Sequence, residues 1–361
     1  MKLNFMTSLS NTGYGTAGKY ITKELAKQNI DVALFPHGGG QFESQEEAQL
    51  FERLLKKTEQ FKYDAPCINL WHQFDLANHI GRGEYYGFPI FELDDFKPVE
   101  KHHLLFPDHL IVTSRWAKDI VMKTTDMWTE NISVAPLGVD RNLFYPYKPD
   151  KEQEKSIRDN PEQFIFFNIG KWEKRKGHDI IPKLFCKAFN TTDNVKLIMA
   201  PSNPFLNKEE IKRWEEQYLN CDLGSKITII PRQPNHKLIS ILINCCDCGL
   251  FPARAEGWNM ELLEAMSCGK QVITTNYSAH TEYVNAKNAY LVEFRELEKA
   301  YDGKWFNGEG SWMEIEYDEE EAFIEHMRHS YNNRKENTEG INTAVEFSWE
   351  NTVNKIVDIL K

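Results

Sequence analysis

The sequence predicts an α/β protein made of two successive domains, each an open parallel sheet with helices on both faces. Short apolar runs bounded by turn residues alternate with helical stripes through residues 1–133. A stretch rich in proline and charge, 134–163, interrupts them, and the same alternation then restarts. At 361 residues with 41% hydrophobic content, the chain can fill two ordinary cores.

In chain order, "KLNFMTSL" (2–9) reads as a strand, and 16–28 as a helix with Ala17, Ile21, Leu25 and Ala26 on one stripe. "DVALFPHGGG" (31–40) is a strand running into a glycine turn, followed by a charged helix over 43–60. "APCINLWHQF" (65–74), "GFPIFEL" (87–93) and "HLIVTSRWA" (109–117) supply further strands. The second series is "FIFFNIG" (164–170), "NVKLIMAP" (194–201), "KITIIPR" (226–232), "CDCGLFPAR" (246–254) and "QVITTN" (271–276). The domains are therefore placed at 1–150 and 151–340, with a closing helix over 341–361. Sheets of this kind hold ligands at the carboxyl ends of their strands, so the expected site is a cleft between the domains.

Composition removes several classes. The net charge is −11, and no apolar run approaches the roughly 20 residues of a membrane span. The first residues lack the apolar core of an export signal, which points to the cytoplasm. The 7 cysteines are odd in number and scattered, as suits reduced thiols. Cys245, Cys246 and Cys248 in "NCCDCGLF" have no second Cys/His pair at zinc spacing and read as buried inert thiols.

"SNTGYGTAGKYITKEL" (10–25) satisfies two phosphate-binding patterns at once. Gly13, Gly15 and Gly18 spell G-x-G-x-x-G, and Gly13 to Lys19 spells G-x-x-x-x-G-K. The nucleotide-triphosphate loop fails at Tyr20, where a Ser/Thr hydroxyl should hold magnesium. The dinucleotide fingerprint fails at Pro36-His37, where a ribose-binding acid is expected. Two readings stay level: a glycine turn whose backbone N–H groups approach an anion, and a tight strand-to-helix turn with no ligand.

"FPARAEGWNMELLEAMSCGKQVITTN" (251–276) is more specific. Glu256 falls in the loop and Glu264 about one turn into the following helix, leaving the N–H groups of Gly257, Trp258, Asn259 and Met260 at the helix start. This resembles the E-x7-E signature of the retaining GT-B-fold glycosyltransferases, the group 1 or family-4-like enzymes. There the segment reads E-G-F-G-x-x-x-x-E-A-M-A-x-G, and here E-G-W-N-M-E-L-L-E-A-M-S-C-G. "FNIGKWEKRKG", "HLIVTSRWAKDIV", "VAPLGVDRNLFYP" and "FSWENTVNKIVDIL" resemble further stretches of that family in the same order, so the likeness spans most of the chain.

The resemblance implies two Rossmann-like domains with parallel sheets facing across a central cleft. It also implies an enzyme that moves a hexosyl or pentosyl unit from a nucleotide-diphosphate sugar, with UDP the family-level expectation, to a hydroxyl acceptor. Retention, and no metal or other cofactor, are part of the same expectation. Glu264 would accept hydrogen bonds from the ribose hydroxyls and Glu256 would lie beside the transferred sugar. Lys171 and Lys176 would neutralise the diphosphate, with Gly13 and Gly15 on its distal phosphate. Lys171 stands where arginine is usual, so Arg175 is expected to share that work. Arg232 joins the donor-binding set, and Asn259 replaces a common glycine.

On the acceptor side, His72 in "LWHQFD" and Glu92 in "FPIFELDD" follow strands and are placed for acid–base work or for capping turns. Residues 1–150 hold 16 Lys+Arg against 20 Asp+Glu, a balance of −4, which disfavours an anionic membrane acceptor. The acceptor classes are a carbohydrate, a protein, or a hydroxymethylated DNA base, the last weakened by the overall acidity. A non-catalytic nucleotide-sugar binder and a nicotinamide-dependent oxidoreductase are the readings from other classes. Neither explains two glutamates bracketing this loop.

Overall fold

The structure, a computed structural model, describes every residue except 202. The chain divides into two compact units: Met1–Gly138 with Phe347–Lys361, and Val139–Glu346.

The first unit runs β1 (Lys2–Thr7), α1 (Gly13–Lys27), β2 (Asp31–Pro36), α2 (Gln45–Lys56), β3 (Cys67–Leu70), β4 (Tyr85–Gly87), α3 (Pro98–Leu104), β5 (His109–Val112), α4 (Arg115–Thr124) and β6 (Ile132–Val134). These strands form one parallel sheet in the order β2-β1-β3-β4-β5-β6. Its central strands are covered on both faces, which is why they read as nearly unbroken apolar runs. Ala17, Ile21 and Leu25 bury the expected stripe of α1. That helix starts at Gly13, before the expected residue 16. It comes so close to the strand that a Cβ at Gly15 would lie 2.0 Å from the Ser10 carbonyl oxygen, and one at Gly18 2.1 Å from Thr7 Oγ1.

The "GFPIFEL" strand is a correction, because regular pairing stops at Gly87. Pro89 has no N–H to give a ladder. Instead the Tyr14 hydroxyl donates to Ile90 O (2.7 Å) and accepts from Ile90 N (3.0 Å), standing in for a neighbouring strand. The C-terminal helix Trp349–Ile359 returns to this unit. Trp349 stacks on Tyr20 at 5.2 Å, and Thr352 Oγ1 donates to Pro136 O.

The second unit comprises α5 (Lys151–Ile157), β7 (Phe164–Gly170), α6 (Ile181–Ala188), β8 (Val195–Pro201), α7 (Lys208–Leu219), β9 (Ile227–Ile229), α8 (His236–Cys245), β10 (Cys248–Phe251), α9 (Met260–Ser267), β11 (Gln271–Asn276), β12 (Tyr290–Glu293), a hairpin of β13 (Leu297–Tyr301) and β14 (Asn307–Met313), α10 (Tyr317–Asn332) and α11 (Thr338–Glu346). Its parallel sheet has the order β12-β11-β10-β7-β8-β9, so β7 and β10 are neighbours although 77 residues separate their ends. Helix α5 forms inside the stretch that composition marks as a linker, and Asp150 caps it through Glu152 N and Gln153 N. Cys245, Cys246 and Cys248 are free and buried; burial pushes Cys245 up to about 11 and Cys248 up to about 12. Among the described residues no helix is long and apolar enough to cross a membrane.

Candidate functional site

At the carboxyl end of β7 the chain makes a tight loop, "KWEKRKG" (171–177), against the exit of β10. Gly177 has φ +72°, and a Cβ there would lie 2.0 Å from Pro252 O, so only glycine fits. Arg254 N donates to Arg175 O (2.7 Å), and the Arg254 guanidinium donates to Asp179 and Lys174 O. The loop is thereby stitched to the strand that leads into Glu256.

What the loop presents is an alternating chain of charge. Lys171 Nζ lies 2.8 Å from Glu173, whose other oxygen accepts from Arg175 Nη2 at 2.8 Å. Arg175 Nη1 donates to Glu256 Oε2 (2.7 Å), Lys176 Nζ donates to Glu256 Oε1 (2.8 Å), and Glu261 lies 3.7 Å beyond Lys176. Glu173, Arg175, Lys176 and Glu256 are all buried. Burial alone would raise the Glu256 pKa, but Arg175 and Lys176 outweigh it and hold the carboxyl well below the usual range. Burial would likewise lower Lys176, yet Glu256 and Glu261 raise it. These groups stay ionised, and both Glu256 oxygens are occupied by cations. Glu256 is thus the carboxylate shared by two buried cations.

Helix α9 begins one residue after Asn259, whose φ of +77° is a backbone that glycine favours and asparagine tolerates. Three contacts hold it: Asn259 Oδ1 accepts from Leu262 N, Asn259 Nδ2 donates to His280 Nε2, and Tyr283 Oη donates to Trp258 O at 2.8 Å. His280 completes the cap by donating from Nδ1 to Thr275 O, and burial pushes its pKa down to about 4. The Glu256 N–H donates to Ser278 Oγ. Glu264 is the fifth residue of α9 and is buried.

Lys171, Arg175, Lys176, Glu256, Gly257, Trp258, Asn259, Met260 and Glu264 thus collect at the carboxyl ends of two adjacent strands. Arg232 follows the edge strand β9, which β8 separates from β7, and is exposed. In the first unit, Gly13 and Gly15 lie in the first turn of α1, and Gly15 has a steric reason independent of any anion. His72 lies 4.4 Å from Tyr14, ring centre to ring centre, and Glu92 follows the Ile90 that Tyr14 clasps. Sequence reasoning passed over Glu173, Ser278, His280 and Tyr283. Glu173 could have been found, since it sits between two cations in the quoted loop. The other three carry no motif.

Residues 149–303 match the family described as "Glycosyl transferases group 1". Curated relatives include the GPI3 subunit of phosphatidylinositol N-acetylglucosaminyltransferase from Saccharomyces cerevisiae (strain YJM789), 25% identical over 170 residues, or 46% of this chain and 35% of that protein. Mannosylfructose-phosphate synthase from Agrobacterium fabrum (strain C58 / ATCC 33970) is 22% identical over 192 residues, 51% of this chain and 42% of that protein. The chain therefore spans less than half the length of either. Sucrose-phosphate synthase (tll1590) from Thermosynechococcus elongatus superposes with a TM-score of 0.72 at 14% identity, covering 99% of this chain and 98% of that one. Anabaena Alr3699/HepE, solved with UDP and glucose, gives 0.68 at 17% identity over 99% and 98%. At such identities the likeness is one of fold. Residues 149–303, less than half of the chain, are thus similar to the glycosyl transferases group 1 family, and the whole chain shares the fold of these solved structures.

Proposed function

We propose that the protein is a retaining glycosyltransferase that moves a sugar from a nucleotide-diphosphate sugar, a UDP-sugar in the first instance, to an acceptor hydroxyl. The observation that carries this reading is the buried Arg175–Glu256–Lys176 cluster at the start of α9. Breaking the bond from the sugar to its diphosphate concentrates negative charge on the departing group. Only interactions stronger in the transition state than in the ground state accelerate that step. Two cations fixed by a carboxylate need no reorganisation when the charge appears, and the first turn of α9 adds favourable potential. Lys171, more exposed than its neighbours, is the cation able to leave Glu173 for an incoming phosphate. Glu264 then serves the ribose, as the resemblance implies. Attack comes from the face the diphosphate leaves, and the departing phosphate takes the acceptor proton.

These residues supply the charge stabilisation from the protein itself, which supports transfer without a bound metal; loss of transfer on EDTA treatment would count against that part. The test of the whole reading is calorimetry with UDP and a panel of UDP-sugars, followed by NMR of the anomeric configuration of the product. Lys176→Ala is expected to lower kcat by about 100- to 1000-fold, the usual cost of one such donor. A protein that binds no nucleotide sugar, or a Lys176→Ala variant with full turnover, would refute it.

A further inference from the structure

A cavity of about 420 Å³ opens in the second unit at the amino ends of β10 and β11, the opposite end of the sheet from the Arg175–Glu256–Lys176 cluster. Asp247 and Lys270, which immediately precede those strands, line it together with Lys148, Arg334, Lys335 and Glu336. Cations thus outnumber acids here, in a chain whose net charge is −11. Asp247 is already engaged: it accepts from Arg158 Nη2 (2.9 Å) and Ile165 N (2.7 Å), with Arg334 3.5 Å away. Lys148, Lys270 and Lys335 have no carboxylate partner among the described residues. Set against Glu336, the remaining acid of the wall, these three lysines leave a balance of +2.

Lys148 and Lys335 are exposed, whereas Lys270 is half-buried at the turn that ends α9, where Gly269 has φ +69°. Lys270 Nζ donates to Asn244 O (2.9 Å) in the last turn of α8, which uses one of its three N–H groups. Burial pushes its pKa below the ordinary lysine value, so an anion beside it would be favourable. Capping α8 explains Lys270 by itself. It gives Lys148 and Lys335, from two distant stretches of chain, no reason to line the same cavity. A phosphate monoester carries about −1.5 to −2 at pH 7, the charge that this balance meets. Small-molecule sites span about 300–1,000 Å³, so a cavity of this size also takes an organic body against Tyr147, Cys246 and Cys268.

We infer that this cavity binds the phosphate dianion of a small molecule, with the half-buried Lys270 and the exposed Lys148 and Lys335 as its cations. The site does not depend on the sugar-transfer reading. All of its residues belong to the second unit, and none lies in the loops that carry Lys176 and Glu256.

Calorimetry on the full chain at physiological salt provides the test, with glycerol 3-phosphate, inorganic phosphate and glycerol as titrants. Saturable binding is expected for both anions and none for glycerol. Tighter binding of the ester would place its organic body in the rest of the cavity; equal or tighter binding of inorganic phosphate would make free phosphate the ligand. The double variant Lys148→Ala/Lys335→Ala, at two exposed positions, should weaken the anions about tenfold, the scale of lost charge-assisted contacts. Lys171→Ala, at the opposite end of the sheet, should leave the affinity unchanged. The inference is overturned if neither anion binds saturably, if the double variant binds as tightly as the parent, or if Lys171→Ala alone removes the binding.

Discussion

In the second unit, Glu256 holds its two cations at 2.7 and 2.8 Å in a buried cluster, whereas in the first unit Tyr14, Trp71, His72 and Phe74 pack ring against ring at centre distances of 4.4–5.6 Å. Both lie at the carboxyl ends of parallel strands. The shared architecture brings loops from distant stretches of sequence together, and the loop chemistry then sets what each place can hold. A cluster of opposite charges suits a ligand whose charge changes during reaction.

The largest expected effect breaks the charged side of this comparison. Glu256→Ala leaves Arg175 and Lys176 buried without their shared carboxylate and should destabilise the second unit by about 3–5 kcal/mol, measured by urea unfolding. An unchanged midpoint would mean that the hub is not structural.

Next comes pH. His280 is neutral in the folded chain, with burial pushing its pKa down to about 4 from 6.5, so the unfolded chain binds the extra proton between those values. Stability from this group is therefore fully present above about pH 6.5 and lost as pH falls toward 4, on the order of 3 kcal/mol across the window. Thermal unfolding followed over that range should show the decline, and His280→Gln should flatten it.

The smallest effect sharpens the ring side. Tyr14→Phe keeps the ring contacts but strips Ile90 N–H and C=O of their partner, for about 1–3 kcal/mol of stability. The same change should lower kcat with the acceptor more than it raises the donor KM, because it loosens the segment that carries Glu92. Equal losses on both substrates would argue for a purely structural phenol.

Much of the fold was legible because its signals are local. "QVITTN" is a strand from end to end, and the apolar stripe of α1 falls where its spacing put it. The misses have physical causes. The hairpin β13–β14 is largely polar and gives no apolar run, its turn being made by Asp302 accepting from Lys304 N, Trp305 N and Phe306 N. "GFPIFEL" is apolar because it is buried, but proline and the Tyr14 hydroxyl replace the ladder.

The sequence by itself determined the two series of strands and helices, the glutamate-bracketed junction before α9, and which residue types stand in each loop. These depend on periodicity and turn chemistry within a few neighbours. Only the tertiary structure decided that Arg175 and Lys176 meet across Glu256, about 80 residues away in the chain, and that Tyr14 clasps a segment 76 residues later. Such pairings follow from strand order, and strand order is set by how whole sheets bury their faces, which no short stretch of chain encodes.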